Sequence, residues 1–202
     1  MKPPSLRPVN QLNYACVPYP TTLERGERLQ KPYPSVAVAG CGLCCICMVV
    51  EFMTGKLLPI KECIELSMES GANVFGTDMK RLGEAAAEAY GLRFETAEEM
   101  DALRKCLGEG GCAVVNVGRK NGIFSDGGHY LFAAGMDGDG NGRGTDGPER
   151  IWFLDPSYTK QKYERPDRRE KVELREPYIG AEPDTVETEC ASRHPAFYLF
   201  YR

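Results

Sequence analysis

The longest apolar stretch of the chain runs from Gly40 to Gly55 and has the pattern of a buried helix. Leu43, Ile46 and Val50 repeat at helical spacing, and the opposite side of the same helix is apolar as well. Gly55 stands where a glycine commonly ends a helix. We therefore predict a helix that is packed on all sides and lies at the centre of its domain.

Three further helices and a short strand are predicted before residue 110. They are a helix over 59–70, a helix over 77–90, a strand over 92–95, and a helix from 96 to about 107. Thr77 is the expected N-cap of the second of these helices and Gly91 its C-cap. Thr96 and Glu99 have the spacing of a capping box that would open the last helix.

The pattern changes after about residue 110, where short β-rich apolar runs replace the helical ones. These runs are Cys112–Val117, His129–Met136, Ile151–Leu154 and Ala196–Tyr201, with a short edge strand at Lys171–Leu174. Helices followed by strands predict an α+β fold in which an antiparallel sheet packs against the helices. We expect one domain over 1–202, with an extended N-terminal arm (1–39), a helical part (40–110) and a sheet part (111–202).

Composition describes an ordinary globular protein. The chain has 202 residues, 42% of them hydrophobic, and a formal net charge of −4. This balance does not favour nucleic-acid binding, and no apolar run reaches the roughly 18 residues of a membrane span. The first residues lack the apolar core of a signal peptide, so a cytoplasmic location is the expectation.

The chain has nine cysteines, four of them within the predicted central helix. Neighbours on one helix cannot all pair, so we interpret most as reduced, buried thiols. Cys41 is different because it lies between two glycines at the helix start. Unpaired backbone N–H groups and the positive end of the helix dipole favour a thiolate there. Cys41 is therefore the candidate nucleophile.

The sequence has only two histidines, and His129 is the candidate base. It opens one predicted strand, and Asp155 closes another. A hairpin that pairs Met136 with Arg150 places Leu131 opposite Asp155, so His129 and Asp155 come out at the same end. At that separation an imidazole can bond a carboxylate, which would orient it beside a thiol.

Five segments, taken in chain order, contain the candidate cysteine, histidine and aspartate together with the predicted helices and strands around them. They are the Gly40–Lys56 helix, the helix from Gly76-Thr77 to Tyr90-Gly91-Leu92, Ala113–Asn116, Gly128-His129-Tyr130 running into Gly135-Met136-Asp137, and Leu154-Asp155-Pro156. Together they resemble the motifs of C39-like cysteine peptidases over about residues 30–158.

The resemblance implies a papain-like fold and thiol-dependent hydrolysis of a peptide or amide bond, with no cofactor. The family's cysteine, histidine and aspartate fall on Cys41, His129 and Asp155. The family also has an amide side chain upstream of its cysteine as an oxyanion donor, for which Gln30 is the candidate, beside the backbone N–H of Cys41. The transmembrane and nucleotide-binding domains of exporter-linked members have no counterpart here, which indicates a free-standing member acting on a peptide or protein substrate.

Other interpretations stay open at this point. The same scaffold could bind peptides without catalysis, or its cysteine could transfer an acyl group to an amine. Cys41-x-x-Cys44 and Cys44-x-x-Cys47 have the spacing of metal or redox pairs, but Cys106 and Cys112 are spaced differently and no histidine lies nearby, so a zinc site is not favoured. The segment 137–148 begins like a calcium loop, but Pro148 occupies the position of the final glutamate, so a hairpin turn is the better interpretation.

Overall fold

A computed structural model describes residues 6–137 and 148–202 of the chain. The predicted turn at 138–147 lies outside these residues. The helices are a 3₁₀ helix Gln11–Tyr14, α1 Val36–Ala39, α2 Cys41–Thr54, α3 Ile60–Glu69, α4 Met79–Tyr90, α5 Met100–Gly108, α6 Lys160–Glu164, α7 Pro166–Arg169 and α8 Pro183–Cys190. The strands are β1 Arg93–Ala97, β2 Cys112–Val117, β3 His129–Asp137, β4 Arg150–Leu154, β5 Glu173–Arg175, β6 Tyr178–Ala181 and β7 Phe197–Tyr201.

Within the described residues these strands form one seven-stranded sheet in the order β1-β7-β2-β3-β4-β6-β5. Every neighbouring pair is antiparallel. The predicted α+β class, with helices packed on an antiparallel sheet, is therefore confirmed. One core lies between the sheet and α2, and a second, on the other face, includes α5 and α8.

Helix α2 is the central buried helix that the apolar pattern predicts. Ten of its residues are buried, and it ends at Gly55 in the left-handed conformation with φ 72°. It packs against β3, α3 and α4. Since other elements pack against several sides of α2, the helix can be apolar around most of its circumference. This packing also fixes the position of its first residues.

The structure corrects the starts of two predicted helices. Asp78, and not Thr77, caps α4, since its side chain accepts hydrogen bonds from the backbone of Lys80 and Arg81. The hydroxyl of Thr77 is instead turned inward to Tyr19 at 3.2 Å. The capping box at Thr96 is wrong as well, because that residue belongs to β1 and pairs with β7, and α5 begins only at Met100.

Several elements of the described chain are absent from the sequence-based prediction. The segment after β4 contains three short helices and the hairpin β5–β6, and the predicted edge strand at 171–174 is found at Glu173–Arg175. The arm 1–39 carries the 3₁₀ helix and α1. These elements are short and lack a sustained period, so their form depends on the surfaces they cover.

The β3–β4 register differs from the prediction at one end only. Met136 pairs with Ile151, and not with Arg150. The register shifts between Ala133 and Gly135, and beyond this bulge Phe132 pairs with Leu154, which is the predicted register. The bulge thus restores the alignment at the end of the hairpin that carries His129 and Asp155.

Candidate active site

Cys41 is the first residue of α2 and is partly exposed, whereas Cys44, Cys45 and Cys47 are buried. Gly40, the N-cap residue, has no side chain that could satisfy the first N–H groups of the helix. The backbone N–H of Gly42 is one of the groups that act on the thiol, which lies at the positive end of the helix dipole. Of the four cysteines in α2, only the one at the helix start is therefore accessible.

His129 and Asp155 meet as predicted at the end of the β3–β4 hairpin. The imidazole Nε2 and the carboxylate Oδ1 are 2.7 Å apart, and the two side chains are 6% and 0% exposed. Because Nε2 is engaged with Asp155, Nδ1 is left to face the thiol. A hydrogen bond between His129 and Cys41 contributes to the pKa of both groups. The three candidate residues are therefore brought together.

Asp155 is held by additional groups that sequence analysis does not identify. The ammonium of Lys162 lies 2.6 Å from Oδ2, and the hydroxyl of Tyr163 donates to the same oxygen at 2.7 Å. Ser157 donates its backbone N–H to Oδ1 at 2.7 Å, and its hydroxyl lies 3.2 Å from the imidazole Nε2. Asp155 is thus a buried carboxylate with full hydrogen bonding, and not only a turn residue.

The charges of this cluster shift the pKa values in opposite directions. Burial would raise the pKa of Cys41, but hydrogen bonding to His129, the imidazolium charge, and the backbone N–H groups of Tyr130 and Gly42 lower it overall. Burial would lower the pKa of His129, but the charge and hydrogen bond of Asp155, together with Cys41, raise it to about 9. These shifts favour a thiolate beside an imidazolium at neutral pH.

The pKa of Asp155 moves far below its usual range. Burial alone would raise it, but the positive charges of His129 and Lys162 outweigh burial. The carboxylate therefore stays ionised when the imidazole carries its proton. By contrast, burial raises the pKa of Cys44 and Cys45, so these thiols stay protonated as the sequence analysis expects.

Cys41 and His129 open into a cleft with a volume of about 910 Å³. The rims of the cleft come from three separate segments of the chain. They comprise residues 22–27, residues 74–78 and residues 192–194, with Val38, Ala39, Met79, Asn116, Gly128, Tyr130 and Tyr198 between them. Large apolar side chains are exposed on these rims, among them Leu23, Val38 and Phe75. The cleft can thus receive an extended ligand above the thiol.

Gln30 is not placed near this thiol by the structure. It is exposed and is not among the residues that line the cleft. Gln11 is the buried amide, and its Nε2 donates to the carbonyl of Ala37 at 2.7 Å. Asn116 lines the cleft, but its amide donates to Pro195 at 3.1 Å. The backbone N–H groups at the start of α2 are therefore the oxyanion donors that the geometry offers.

The residues missed by sequence analysis have no local signature. Lys162 and Tyr163 lie in α6, a helix of five residues in a segment without a clear period. These two side chains reach Asp155 only because that segment folds back over the β3–β4 hairpin.

Among the described residues, no group of three or more His, Cys, Asp or Glu side chains is arranged to hold a metal ion. No helix in this part of the chain has the length and apolar character needed to cross a membrane.

Comparison with known proteins finds a similar solved structure but no similar sequence. No family model matches the sequence, and no curated protein matches it. A solved structure of a double glycine motif protease from an AMS/PCAT transporter, in complex with the leader peptide, is similar to this chain. The TM-score is 0.46, the sequence identity is 17%, and the match covers 93% of each chain.

Proposed function

We propose that this protein is a thiol-dependent hydrolase, a cysteine peptidase that cleaves a peptide or amide bond at Cys41. One observation carries the proposal: His129 is hydrogen-bonded to the buried carboxylate of Asp155 at 2.7 Å, and it interacts with the thiol of Cys41, whose pKa it lowers. This arrangement provides a nucleophile, a group that moves its proton, and a group that orients the imidazole.

The proposed reaction follows from the charges of the Cys41 thiolate and the His129 imidazolium. The thiolate of Cys41 attacks the carbonyl carbon, and the backbone N–H groups at the start of α2 stabilise the oxyanion that forms. His129 gives its proton to the leaving amine as the C–N bond breaks, which leaves a thioester on Cys41. Water then attacks the thioester with His129 as the base, so the acid is released and the thiolate returns.

A peptide is the proposed substrate class because the cleft extends well beyond the thiol. Its volume of about 910 Å³ is larger than a single amino acid requires, and its rims expose apolar side chains such as Leu23 and Phe75. Such rims suit the alternating side chains of an extended peptide, and they lie on loops, where recognition residues are commonly found.

The test is cleavage of a peptide library followed by mass spectrometry. The wild-type protein is expected to produce new termini, while Cys41→Ser and His129→Ala should lose turnover by at least about a thousandfold with the fold retained. Cys44→Ser is the matched control, since this buried thiol takes no part in the chemistry. Equal turnover by the Cys41→Ser variant would contradict the proposal, and absence of turnover in the wild type would favour a binding role.

A further inference from the structure

Arg193 lies in the cleft beside the proposed catalytic histidine. Its guanidinium sits on the backbone of Gly118, just beyond the end of β2, where a Cβ atom would overlap it. On the other side, its Nη2 would be 3.1 Å from a Cβ built at Gly128, the residue before His129. The absence of side chains at these two glycines therefore leaves room for the guanidinium next to the proposed base.

The charge of Arg193 has no carboxylate partner among the residues that the structure describes. Among these residues, the guanidinium makes one hydrogen bond, a long contact of 3.4 Å from Nη2 to the carbonyl of Gly118, and its Nε is buried without a partner. A guanidinium has five N–H donors, and leaving buried donors unpaired costs free energy. This arginine therefore has an unused capacity to bind an anion.

The acidic groups of the cleft are arranged differently. Asp78 caps α4 and pairs with Arg81 at 3.4 Å. Glu27 accepts two backbone N–H groups of its own loop through Oε2. Glu24 lies on the same exposed loop, next to Arg25. The loop and the helix start thus use two of their carboxylates for local structure, and neither is paired with Arg193. The partly buried guanidinium of Arg193 remains available to a ligand, whereas Arg25 of the same cleft is exposed.

We propose that Arg193 binds a carboxylate of the peptide that occupies the cleft, and so selects peptides with an acidic group near the bond attacked. A planar fork of N–H donors matches a carboxylate with two parallel hydrogen bonds. The carboxylate is an Asp or Glu side chain or a free C-terminus. This inference rests on the proposed function, since it takes a peptide as the ligand.

The test measures peptide binding to the Cys41→Ala variant, so it does not depend on turnover. Fluorescently labelled alanine hexapeptide amides carry Glu or Gln at each position in turn, and a further pair ends in a free carboxylate or an amide. Anisotropy at 0.15 M salt, about physiological ionic strength, gives their Kd values. We expect at least one acidic peptide to bind about tenfold more tightly than its neutral partner, the gain of one charged hydrogen-bonded pair.

Additional substitutions in the Cys41→Ala background locate the effect. Arg193→Gln should abolish the preference, and Arg193→Lys should keep part of it because the charge remains. Arg25→Gln removes the same charge from the exposed loop of the same cleft and should leave the preference intact. Equal affinity for every acidic and neutral pair, or a preference that survives Arg193→Gln, would overturn the inference. A preference within the Glu and Gln peptides indicates a side-chain carboxylate as the ligand, and a preference within the pair that differs at the C-terminus indicates a terminal carboxylate. Failure of the peptidase itself appears only in the cleavage assay with the wild type.

Discussion

At the scale of single residues, the carboxylate of Asp155 controls the site. One oxygen bonds His129 and Ser157, and the other bonds Lys162 and Tyr163. The ammonium of Lys162 and the imidazolium of His129 lie on the same carboxylate, so their mutual repulsion is expected to limit how far the pKa of His129 is raised. We therefore expect the proposed base to be tuned by a lysine that is not among the residues lining the cleft.

Replacing Lys162 by Met tests this tuning. The pKa of His129 should rise above about 9, by about one unit, because Asp155 then acts on the imidazole alone. The measurement is a histidine NMR titration, which is simple because the chain has only two histidines, and His194 is exposed.

Lys160→Met is the matched control for this titration. Lys160 lies in the same helix, is 63% exposed and reaches only Glu164, so its removal should leave the pKa of His129 unchanged. A purely structural role of Lys162 would change stability and not the pKa. An unchanged titration in Lys162→Met would therefore exclude the tuning role.

The three candidate residues could be selected from the sequence for local reasons. Cys41 lies at a helix start between two glycines. His129 begins β3 and Asp155 directly follows β4, and these two strands pair. Lys162 and Arg193 could not be selected, because charged residues in irregular segments are usually exposed, and only the folded chain brings these two to the site. The prediction for Gln30 rested on the resemblance alone, and the structure gives it no support.

At the scale of elements, the start of α2 depends on its contact with the start of α4. A Cβ atom at Gly42 would lie 2.8 Å from Cβ of Thr77 and 3.0 Å from Cε of Met79. Thr77 is fixed in turn by a hydrogen bond to Tyr19. The absence of a side chain at Gly42 lets the two helix starts approach, and this positions Cys41 over the cleft.

Replacing Gly42 by Ala should lower the free energy of unfolding. Alanine improves intrinsic helix stability by about 1 kcal/mol, but the overlap with Thr77 costs about 1–3 kcal/mol, so a net loss of about 1 kcal/mol is expected. Gly108→Ala in α5 is the control, since nothing lies within 4 Å of its Cβ position, and it should be neutral or stabilising. Urea unfolding measures both. Equal effects at the two positions would contradict the packing argument.

The sequence predicts long elements better than their ends. The pattern of α2 identifies its range because apolar residues on every side need burial. The capping box at Thr96 fails because pairing of β1 with β7 determines that residue's conformation. The bulge near Gly135 was not predicted either, since a register shift leaves little trace in apolar alternation.

At the scale of the whole molecule, one sheet joins two hydrophobic cores. Leu43 of α2 is buried on one face, and Leu103 of α5 is buried on the other. Trp152, the only tryptophan of the sequence, lies in β4 and is 2% exposed. Because both cores use the same strands, loss of either should unfold the sheet as a unit.

The substitutions Leu43→Ala and Leu103→Ala make the same change in the two cores. Each should lower the free energy of unfolding by about 2–5 kcal/mol, since both side chains are fully buried. Trp152 fluorescence and far-ultraviolet circular dichroism should report the same midpoint in each variant. Separate midpoints in Leu103→Ala would show that the second core unfolds by itself.

The most direct test of the central claim is the pH dependence of Cys41 alkylation by iodoacetamide, located by peptide mass spectrometry. In the wild type, Cys41 should react faster at neutral pH than the exposed Cys16, with an apparent pKa below the usual value of about 8.5. Reaction should change again near pH 9, where His129 loses its proton. In His129→Ala the apparent pKa should return to about 8.5 or higher. A wild-type Cys41 that reacts no faster than an ordinary thiol, or the same pKa in both proteins, would contradict an activated nucleophile.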